Sequence, residues 1–546
     1  MDILLIQPPI HDFYLTQKRT IPYGLSCITS VLKSEGFETE LFDALATNKS
    51  KPLAWPDKMT YLKDYYGRPD HSPFALFHQF RHFGYSFQHI GKIARESGAF
   101  LIGISSLFTA YSEQALFTAQ TVKSWHPNSL IVMGGHHPTH FPQHVLNHSS
   151  VDYVIRGEGE ESMLLLAKAL KNNKPLDKIP GIAFKNSDNN YTINPPAILN
   201  DLDKFPFPDI SSSNKKFYKR KGKKSVVVLA SRGCPMTCSY CAMGDRRWIY
   251  RKKSVEKIID EISVAIGDSE SAFIDFEDEN ISLDRQWFMQ LLSRICQEFP
   301  SQKLELRAMN GLYPISLDQD MIKAMKKAGF KALNLSVCTF SSKQLERFNR
   351  QNSHDKLREI LNIAQKIGLS TTAYIIAGAP HQNPFESVDD ILTLFKMQTL
   401  IGLSVYYPAP GSLDYKALKK SQILPDDFSL MRSACIPISH TTNRTQSITL
   451  LRLSRIINFI QDLTNQKIYL PKPSPCKKSE IKLNDRQAAG EQLLSWFFYD
   501  GIIRGVDNNE KIYQHKSDLA LINYFFKQFQ DLKKLCYRSR QGNITF

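Results

Sequence analysis

Three cysteines lie close together in one stretch of the sequence, RGCPMTCSYCAMGDRRW at 232–248. Cys234, Cys238 and Cys241 follow the spacing C-x3-C-x2-C, and no fourth cysteine or histidine follows at short spacing. Structural zinc sites use four protein ligands, so zinc is the weaker interpretation. An iron–sulfur cubane held by three thiolates would leave one iron open, and an open position is typical of catalytic metal sites.

The cysteine stretch follows the first of six predicted strands that alternate with predicted helices. These strands are short apolar runs at 225–231, 271–276, 303–308, 332–338, 371–377 and 401–407. Consecutive βα units predict a partial parallel barrel, in which chemistry takes place at the carboxyl ends of the strands. We therefore predict that the three cysteines lie at the mouth of a partial (β/α)6 barrel.

Another alternation of strands and helices occupies residues 1–180 and predicts an α/β domain with a doubly wound, flavodoxin-like parallel sheet. Its predicted strands are 3–9, 38–44, 100–106, 129–135 and 151–157. A polar and aromatic insert at about 45–99 has no assigned structure. The expected organisation is this domain at 1–180, a linker at 181–224, the barrel at 225–424 and a helical C-terminal region at 425–546.

Composition narrows the class of protein. The chain has 546 residues, of which 42% are hydrophobic and 22% charged, as in a globular protein of two or three domains. No apolar run approaches the roughly 18–20 residues that span a bilayer, so we expect no integral membrane segment. The start, MDILLIQPP, lacks the basic region of a signal peptide. Nine cysteines with one tight cluster favour a reducing, cytoplasmic location.

The net charge of +16 indicates what partners to expect. Part of it lies in the run KKFYKRKGKK at 215–224, which is either a solvated linker or a patch for an anionic partner such as a lipid surface, nucleic acid or carboxylated substrate. Aromatic residues are sparse there, which argues against a nucleic-acid module. A small-molecule substrate, with mild preference for an anionic one, is the expected partner.

Glycines and hydroxyls follow the strands of the N-terminal sheet, in SSLFT (105–109), GGHHPTH (134–140) and GEGE (157–160). Ligands of doubly wound sheets bind at the carboxyl ends of the strands, and glycine lets a backbone approach a bulky ligand closely. The loops therefore favour a planar or nucleotide-like ligand. The three histidines of the second loop are either metal ligands or part of a polar loop, and the polar loop is the preferred interpretation.

The cysteine spacing, with the aromatic Tyr240 before the last cysteine, resembles the radical S-adenosylmethionine (SAM) superfamily. Other segments resemble, in order, radical SAM enzymes with an N-terminal cobalamin-binding domain. They are ILLIQPP, IPYGLSCITSVLKSEGF, GISSLFT, GGHHPTHFP, VDYVIRGEGE, RKKSVEKIIDEI, FEDENIS, RAMNGLYP, MKKAGFKALNLSV, YIIAGAP and YYPAPGSLDY. That family includes C- and P-methylases and the oxygen-independent magnesium-protoporphyrin ester cyclase.

The resemblance implies the cofactors and their chemistry. Cys234, Cys238 and Cys241 would hold a [4Fe–4S] cluster whose open iron takes the amino and carboxylate groups of SAM. An electron from the cluster, supplied by a donor such as flavodoxin or ferredoxin, would then cleave SAM to methionine and a 5′-deoxyadenosyl radical. The N-terminal domain would bind cobalamin.

The resemblance also implies candidate site residues. Tyr240 would pack beside the cluster, and Arg307 would face the mouth as a catalytic candidate. For Asp278 and Asn280, contact with SAM and structural hydrogen bonding are both open. The other candidates are Asn310 at the mouth and Gly378 and Pro380 on the adenine side. For cobalamin, the nucleotide tail would lie at Ser105, Thr109, Gly134, Gly135 and Gly157, with loop 8–14 above the corrin.

Two departures from the family pattern matter. The motif D-x-H-x-x-G of methionine-synthase-type domains is missing, since His11 precedes Asp12, so we expect cobalt without a histidine lower ligand. Cys338 ends the fourth barrel strand, where relatives frequently have Glu. Strand alternation places Ser336 and Cys338 in the barrel lumen. Cys338 is then a hydrogen donor, a binding wall or, in the preferred interpretation, a small buried residue.

Three functions follow from these features. The first is a methylase in which one SAM methylates cobalamin, a second gives the radical, and methylcobalamin methylates an unreactive carbon. The second is a radical enzyme that transfers no methyl group, such as an oxidative cyclase or a rearrangement enzyme. The third is a cobalamin or redox sensor, which a complete barrel with a three-cysteine cluster argues against.

Overall fold

The computed structural model describes residues 1–13, 21–77, 79–186, 188–209, 217–244, 248–300 and 303–538. The strands of the N-terminal part are β1 Ile3–Gln7, β2 Ile10–Asp12, β3 Thr39–Asp43, β4 Ser50–Pro52, β5 Arg81–Phe83, β6 Leu101–Ser105, β7 Leu130–Gly134, β8 Tyr153–Ile155, β9 Ile182–Lys185 and β10 Tyr191–Ile193. Its helices are α1 Tyr23–Ser34, α2 Lys63–Tyr66, α3 Phe87–Ser97, α4 Ser112–Trp125, α5 His136–His140, α6 Pro142–Leu146 and α7 Gly159–Lys171.

The N-terminal sheet has the strand order β10-β9-β8-β7-β6-β1-β3 among the described residues. β3, β1, β6, β7 and β8 run parallel, and the hairpin β9–β10 extends the sheet antiparallel. In chain order the parallel strands read 2-1-3-4-5, which is the flavodoxin-like order. The predicted doubly wound sheet is therefore confirmed, with its switch point between β1 and β6.

The insert at 45–99 supplies β4 and β5, which join β2 in a small antiparallel sheet, and the helices α2 and α3. It also contacts the far end of the chain. The buried carboxylate of Asp70 accepts hydrogen bonds from Nε2 of His515 at 2.8 Å and from the amide of Val506 at 3.2 Å. The insert is thus fastened to the C-terminal region.

The second part of the chain forms the barrel. Its strands are β11 Lys219–Arg220, β12 Lys223–Val228, β13 Ser231–Arg232, β14 Arg251–Lys252, β15 Ala272–Phe276, β16 Leu304–Ala308, β17 Ala332–Cys338, β18 Ser370–Ala377 and β19 Leu400–Val405. Its helices are α8 Val255–Ile266, α9 Arg285–Glu298, α10 Gln319–Ala328, α11 Ser342–Arg347, α12 His354–Lys366, α13 Pro384–Lys396 and α14 Leu413–Lys420.

The six strands β12, β15, β16, β17, β18 and β19 of the described barrel lie side by side in this order. Regular parallel ladders join β12 to β16 and β17 to β19, and two isolated bridges, Leu306 with Phe330 and Leu312 with Leu335, connect the two halves. Side-chain caps start the helices that return along the outside, for example Ser254 at α8 and Asp284 at α9. The predicted partial parallel barrel is confirmed.

The C-terminal region contains α15 Arg444–Asn465, α16 Arg486–Asp500, β20 Arg504–Val506, β21 Ile512–Gln514 and α17 Leu519–Arg538. Leu453, Ile457 and Phe525 belong to the same apolar core as the barrel helices. These helices therefore form a wall of the barrel. Within the described residues, the helices are too short or too polar to cross a membrane.

Candidate active site

The segment between β13 and β14 carries the three cysteines and is called the cysteine loop here. A short two-stranded ribbon, formed by β13 and β14, closes this loop at its base. β13 pairs antiparallel with β14, so the two ends of the loop meet, and the amide of Cys234 donates to the carbonyl of Trp248 at 3.2 Å. Gly233 has a φ of +82°, and a side chain there would collide with the carbonyl of Ile249. Only glycine suits such a position without strain. The ribbon thereby fixes the chain that carries the three thiols.

The three thiols influence one another. Burial raises the pKa of Cys241 to about 11, and the neighbouring thiols of Cys238 and Cys234 contribute to this rise. In the described residues, no three Cys, His, Asp or Glu side chains converge tightly enough for a single metal ion. In a four-iron cluster each thiolate binds its own iron, so the sulfurs need not converge on one point. The donor set fits a three-thiolate cluster, whose binding must displace the thiol protons.

Arg350 is the cation nearest to the predicted cluster ligands among the contacts described. Its Nη1 donates to Sγ of Cys238 at 3.6 Å, and its Nη2 donates to the carbonyl of Ser336 at 2.9 Å. The guanidinium also lies 4.4 Å from the ring centre of Tyr313. These contacts hold a positive charge against the cysteine loop. The sequence patterns did not single out this arginine.

Tyr240 and Cys338 contact each other. The Tyr240 hydroxyl lies 2.9 Å from Sγ of Cys338, and the Tyr240 ring packs edge-on against Phe348 at 4.8 Å. A β-bulge interrupts the strand between Ser336 and Cys338, and Cys338 has a φ of +74°. Ser336 and Cys338 both face the cysteine loop, while Val337 joins the outer core, as alternation predicts. Cys338 therefore lies at the mouth, buried beside the predicted cluster.

Asp278 fastens the second strand to the ribbon. Its buried carboxylate accepts hydrogen bonds from Oγ of Ser231 at 2.6 Å and from the amide of Ala230 at 3.3 Å. Burial raises the pKa of Asp278 to about 7. These bonds realise the structural role that the sequence left open, and a contact with SAM stays a prediction. Asn280 is also buried, and its Oδ1 accepts from Ser282 at 3.4 Å.

Glu279, between these two candidates, was not predicted. Burial raises the pKa values of Cys234 and Cys241, and the nearby Glu279 carboxylate adds a smaller contribution in the same direction. Oε2 of Glu279 is buried without a hydrogen-bond partner among the described residues. A carboxylate oxygen without a partner beside the cysteine loop is suited to bind an ammonium group, such as that of SAM. The sequence signal was the acidic run FEDEN, but only the fold shows which carboxylate is unpaired.

Arg307 lies on the lumen side of β16, where its Nε donates to Oδ1 of Asp275 at 3.1 Å. Its guanidinium also lies 5.1 Å from the ring centre of Phe273. The charge is thus engaged within the barrel, and a catalytic role stays a prediction. Asn310 is exposed after the end of the strand and donates to the carbonyl of Glu277 at 2.6 Å.

The two candidates of the predicted adenine-side loop lie after β18. Gly378 has a φ of +77°, and a methyl group there would lie 2.9 Å from Oγ of Ser447 on α15. Pro380 is buried. The close approach that requires glycine is therefore to the C-terminal region. Contact of this loop with adenine stays a prediction.

One of the N-terminal candidates, Ser105, lines a cavity at the carboxyl ends of β1 and β6. This is the switch point of the sheet, where ligands of such folds bind. Ser105 and Ser106 line the cavity, and the buried Oγ of Ser106 has no partner among the described residues. The walls are mostly apolar and include Pro8, Pro9, Ile10, Leu45, Leu107 and Phe108.

The remaining cobalamin candidates differ in what they approach. Gly135 has a φ of +117°, and a methyl group there would lie 2.6 Å from the carbonyl of Ser106 at the cavity. Gly134 has open space, since its nearest contact is Ile155 at 3.6 Å. Thr109 is buried next to the cavity. A side chain at Gly157 would instead collide with the backbone of Ala197, so this glycine serves packing within the protein.

The histidines near these loops contact protein groups. Nε2 of His11 lies 3.1 Å from Nδ1 of His82, and Nδ1 of His11 lies 3.5 Å from Nε2 of Gln114. Burial lowers the pKa of His11 to about 4. In the second loop, Nε2 of His137 lies 3.2 Å from Nδ1 of His144. These contacts fit the polar-loop interpretation, and the lower ligand of cobalt stays a prediction.

A barrel with a three-thiol loop beside a flavodoxin-like sheet with an open switch point defines an enzyme with two cofactor sites. Comparison with known families identifies both cofactor sites. The Radical SAM superfamily profile matches residues 228–395, and the B12 binding domain profile matches residues 78–167. The chain therefore contains a radical SAM domain and a B12-binding domain, as predicted. Its cofactors are a [4Fe–4S] cluster, SAM and cobalamin.

Curated relatives match parts of the chain. An uncharacterized methyltransferase of Pyrococcus horikoshii is 27% identical over 301 residues, which are 54% of this chain and 64% of that protein. The anaerobic magnesium-protoporphyrin IX monomethyl ester cyclase of Cereibacter sphaeroides is 24% identical over 310 residues, 56% of this chain and 50% of that protein. The cytidylyl-2-hydroxyethylphosphonate methyltransferase of Streptomyces wedmorensis is 23% identical over 442 residues, 74% and 78% respectively. The chain thus spans from half to over three quarters of these relatives.

Two solved structures share the fold. The radical SAM methyltransferase TsrM of Kitasatospora setae, with cobalamin and a [4Fe–4S] cluster bound, has a TM-score of 0.57 at 16% identity and matches 78% of this chain and 79% of its own. The cobalamin-dependent SAM radical enzyme OxsB, in its apo form, has a TM-score of 0.59 at 15% identity over 98% and 84%. At this identity the likeness shows the fold.

Proposed function

We propose that the chain methylates an unreactive carbon of a small-molecule substrate, with cobalamin as the methyl carrier. The observation that carries the proposal is the direct packing of the cobalamin-domain loop after β7 against the barrel loop after β19. Gly411 has no room for a side chain because His140 fills that space, and the rings of Phe141 and Tyr415 are 5.9 Å apart. The two domains therefore contact each other directly through these loops, which supports transfer between their cofactors.

Exposed apolar side chains on both sides of this interface support a shared ligand space. Leu107 and Phe108 at the switch-point cavity are 42% and 43% exposed, and Met309 and Tyr407, which follow barrel strands, are 41% and 43% exposed. Large apolar side chains left open in this way mark ligand-binding surfaces. When bound, cobalamin supplies a transferable methyl group, and the cluster with SAM supplies a carbon radical.

The protein's own residues would hold these reactants and exclude water. Arg350 neutralises charge at the cysteine loop, and Glu279 offers a carboxylate to the ammonium of SAM. Tyr240 and Cys338 form a buried apolar cluster with Tyr406, Ile438 and other side chains at the mouth. Such a dry wall protects a reactive radical from side reactions.

We further propose that the substrate is anionic. An open cleft lies between the domains, and its lining includes Arg156, Lys416, Lys419 and Trp248. No carboxylate is among its described lining residues. With a net charge of +16, the chain would also attract an acidic one-electron carrier such as flavodoxin or ferredoxin. Lys416→Ala with Lys419→Ala should raise the KM for an anionic substrate while leaving the cluster intact.

The test uses SAM with a deuterated methyl group. The reconstituted enzyme, a reductant and a metabolite extract are incubated without oxygen, and products are analysed by mass spectrometry. We expect a deuteromethylated metabolite, with S-adenosylhomocysteine and 5′-deoxyadenosine in equal amounts. The similarity to the ester cyclase supports one alternative function, that of a radical enzyme that transfers no methyl group. It would give 5′-deoxyadenosine and a changed metabolite without label, and that result would reject methylation.

A further inference from the structure

The GEGE segment that follows β8 makes buried ion pairs with the barrel. Glu158 accepts two hydrogen bonds from Arg251, from Nη1 at 2.8 Å and from Nη2 at 2.9 Å. Glu160 accepts from Nη2 of Arg232 at 2.5 Å. The four side chains are only 12%, 9%, 6% and 17% exposed, in the order Glu158, Arg251, Glu160 and Arg232. Two carboxylates of the B12-binding domain are thus neutralised by two arginines of the barrel domain.

Both arginines belong to the ribbon that closes the cysteine loop. Arg232 and Arg251 are register partners in the β13–β14 pair, and Cys234 follows Arg232 by two positions. The carboxylates therefore hold both strands of the ribbon, and each strand leads directly into the loop with the thiols. A displacement of the ribbon would move Cys234 relative to the other two cysteines.

A second contact set fixes the same region. The Tyr23 hydroxyl on α1 donates to Oε1 of Glu261 at 2.8 Å, and Nζ of Lys253 donates to the Tyr23 oxygen at 2.9 Å. Lys253 follows the second ribbon strand, and all three groups are buried. The B12-binding domain thus contacts the ribbon through α1 as well as through the start of α7.

We propose that Glu158 and Glu160 are positioning residues for the iron–sulfur cluster. The B12-binding domain holds the ribbon at the base of the cysteine loop through these two carboxylates. The cluster site is therefore complete only when the two domains are packed together. A bidentate arginine–carboxylate pair fixes direction as well as distance. Removing one partner of a buried pair leaves the other charge uncompensated, so the loop would lose its defined position. The proposal holds whether or not the enzyme transfers a methyl group.

The test compares isosteric variants of the full-length protein. Glu158→Gln with Glu160→Gln removes both charges, and Glu161→Gln is the matched control, because Glu161 lies in the same segment but is 44% exposed and 3.6 Å from Lys204. After anaerobic reconstitution, iron release to a chelator and the cobalamin absorption spectrum are measured. We expect release about tenfold faster in the double variant, within the usual range of coupling between two sites. The control should match the wild type, and cobalamin binding should persist.

Wild-type iron release in a folded double variant would overturn the proposal. A charge swap provides a second measurement. Glu160→Arg and Arg232→Glu should each accelerate iron release, and the swapped pair should recover most of the retention. Single variants that are folded by circular dichroism, together with a swap that recovers nothing, would show that the ion pair is not the cause.

Discussion

The barrel mouth and the switch-point cavity are built from different chemistry. Around the cysteine loop, ionisable groups are buried next to one another, with Arg350 and Glu279 facing the thiols. At the switch point, apolar residues such as Ile10 and Phe108 enclose a cavity that the hydroxyl of Ser106 also lines, buried and without a partner in the described part of the chain. A charged cluster and a zwitterionic cosubstrate need charge compensation, whereas a bulky macrocycle is held mainly by shape.

The largest expected effect is the loss of SAM cleavage at the cluster, without loss of cobalamin binding. Replacing any one of Cys234, Cys238 or Cys241 by alanine should abolish SAM cleavage, because two thiolates do not hold a cubane. Cobalamin should still bind, since its cavity is formed by the other domain. Electron paramagnetic resonance of the reduced protein and 5′-deoxyadenosine formation provide the measurement. Cys296→Ala on α9 is the control, and full activity of Cys238→Ala would contradict the assignment.

The second largest effect is expected on cobalamin retention at the switch-point cavity, without an effect on the cluster. Gly135→Ala introduces a methyl group 2.6 Å from the carbonyl of Ser106 at a φ of +117°. Strain of this kind costs about 1–3 kcal/mol, so the loop should shift and cobalamin retention should fall. The cluster signal should persist. Gly24→Ala, where a methyl group meets nothing within 4 Å, is the control. Unchanged cobalamin retention would show that the loop does not contact the cofactor.

A smaller effect is expected at Cys338, between the two sites. Cys338→Ser should keep the cluster and SAM cleavage but lower product formation, because the thiol lies at the mouth and contacts Tyr240. The ratio of product to 5′-deoxyadenosine is the measurement. A wild-type ratio would leave this cysteine only a packing role.

The smallest effect is expected at His11. Its ring contacts His82 and Gln114, so His11→Ala should leave the absorption and paramagnetic spectra of bound cobalamin unchanged. Both spectra respond to a nitrogen ligand of cobalt. A nitrogen signal that disappears in the variant would show that the loop supplies a lower ligand.

Both parallel sheets could be predicted from the sequence, because short apolar runs alternate with helical patterns. The insert could not, since two hydrogen-bond partners of Asp70, Val506 and His515, lie more than four hundred residues away. The role of each glycine was also ambiguous, because Gly135, Gly157 and Gly378 all make room for protein atoms, and only the atom that Gly135 approaches, the carbonyl of Ser106, belongs to a residue that lines the cavity. A glycine after a strand indicates a close approach, but only the fold shows to what. The sequence also does not distinguish Glu279 from Asp278, because only the fold shows that Oε2 of Glu279 is buried without a hydrogen-bond partner in the described residues.

The bond between Asp70 and His515 has a consequence for how the enzyme is made. The two residues are 445 positions apart. At the usual synthesis rate of about 5–20 residues per second, Asp70 waits about 20–90 s on the ribosome before its partner exists. During that time the insert lacks one of its anchors. Since β2 pairs with β5 of the insert, we expect the chain around β2 to reach its final form only after His515 has been synthesised, so cobalamin should bind after that point.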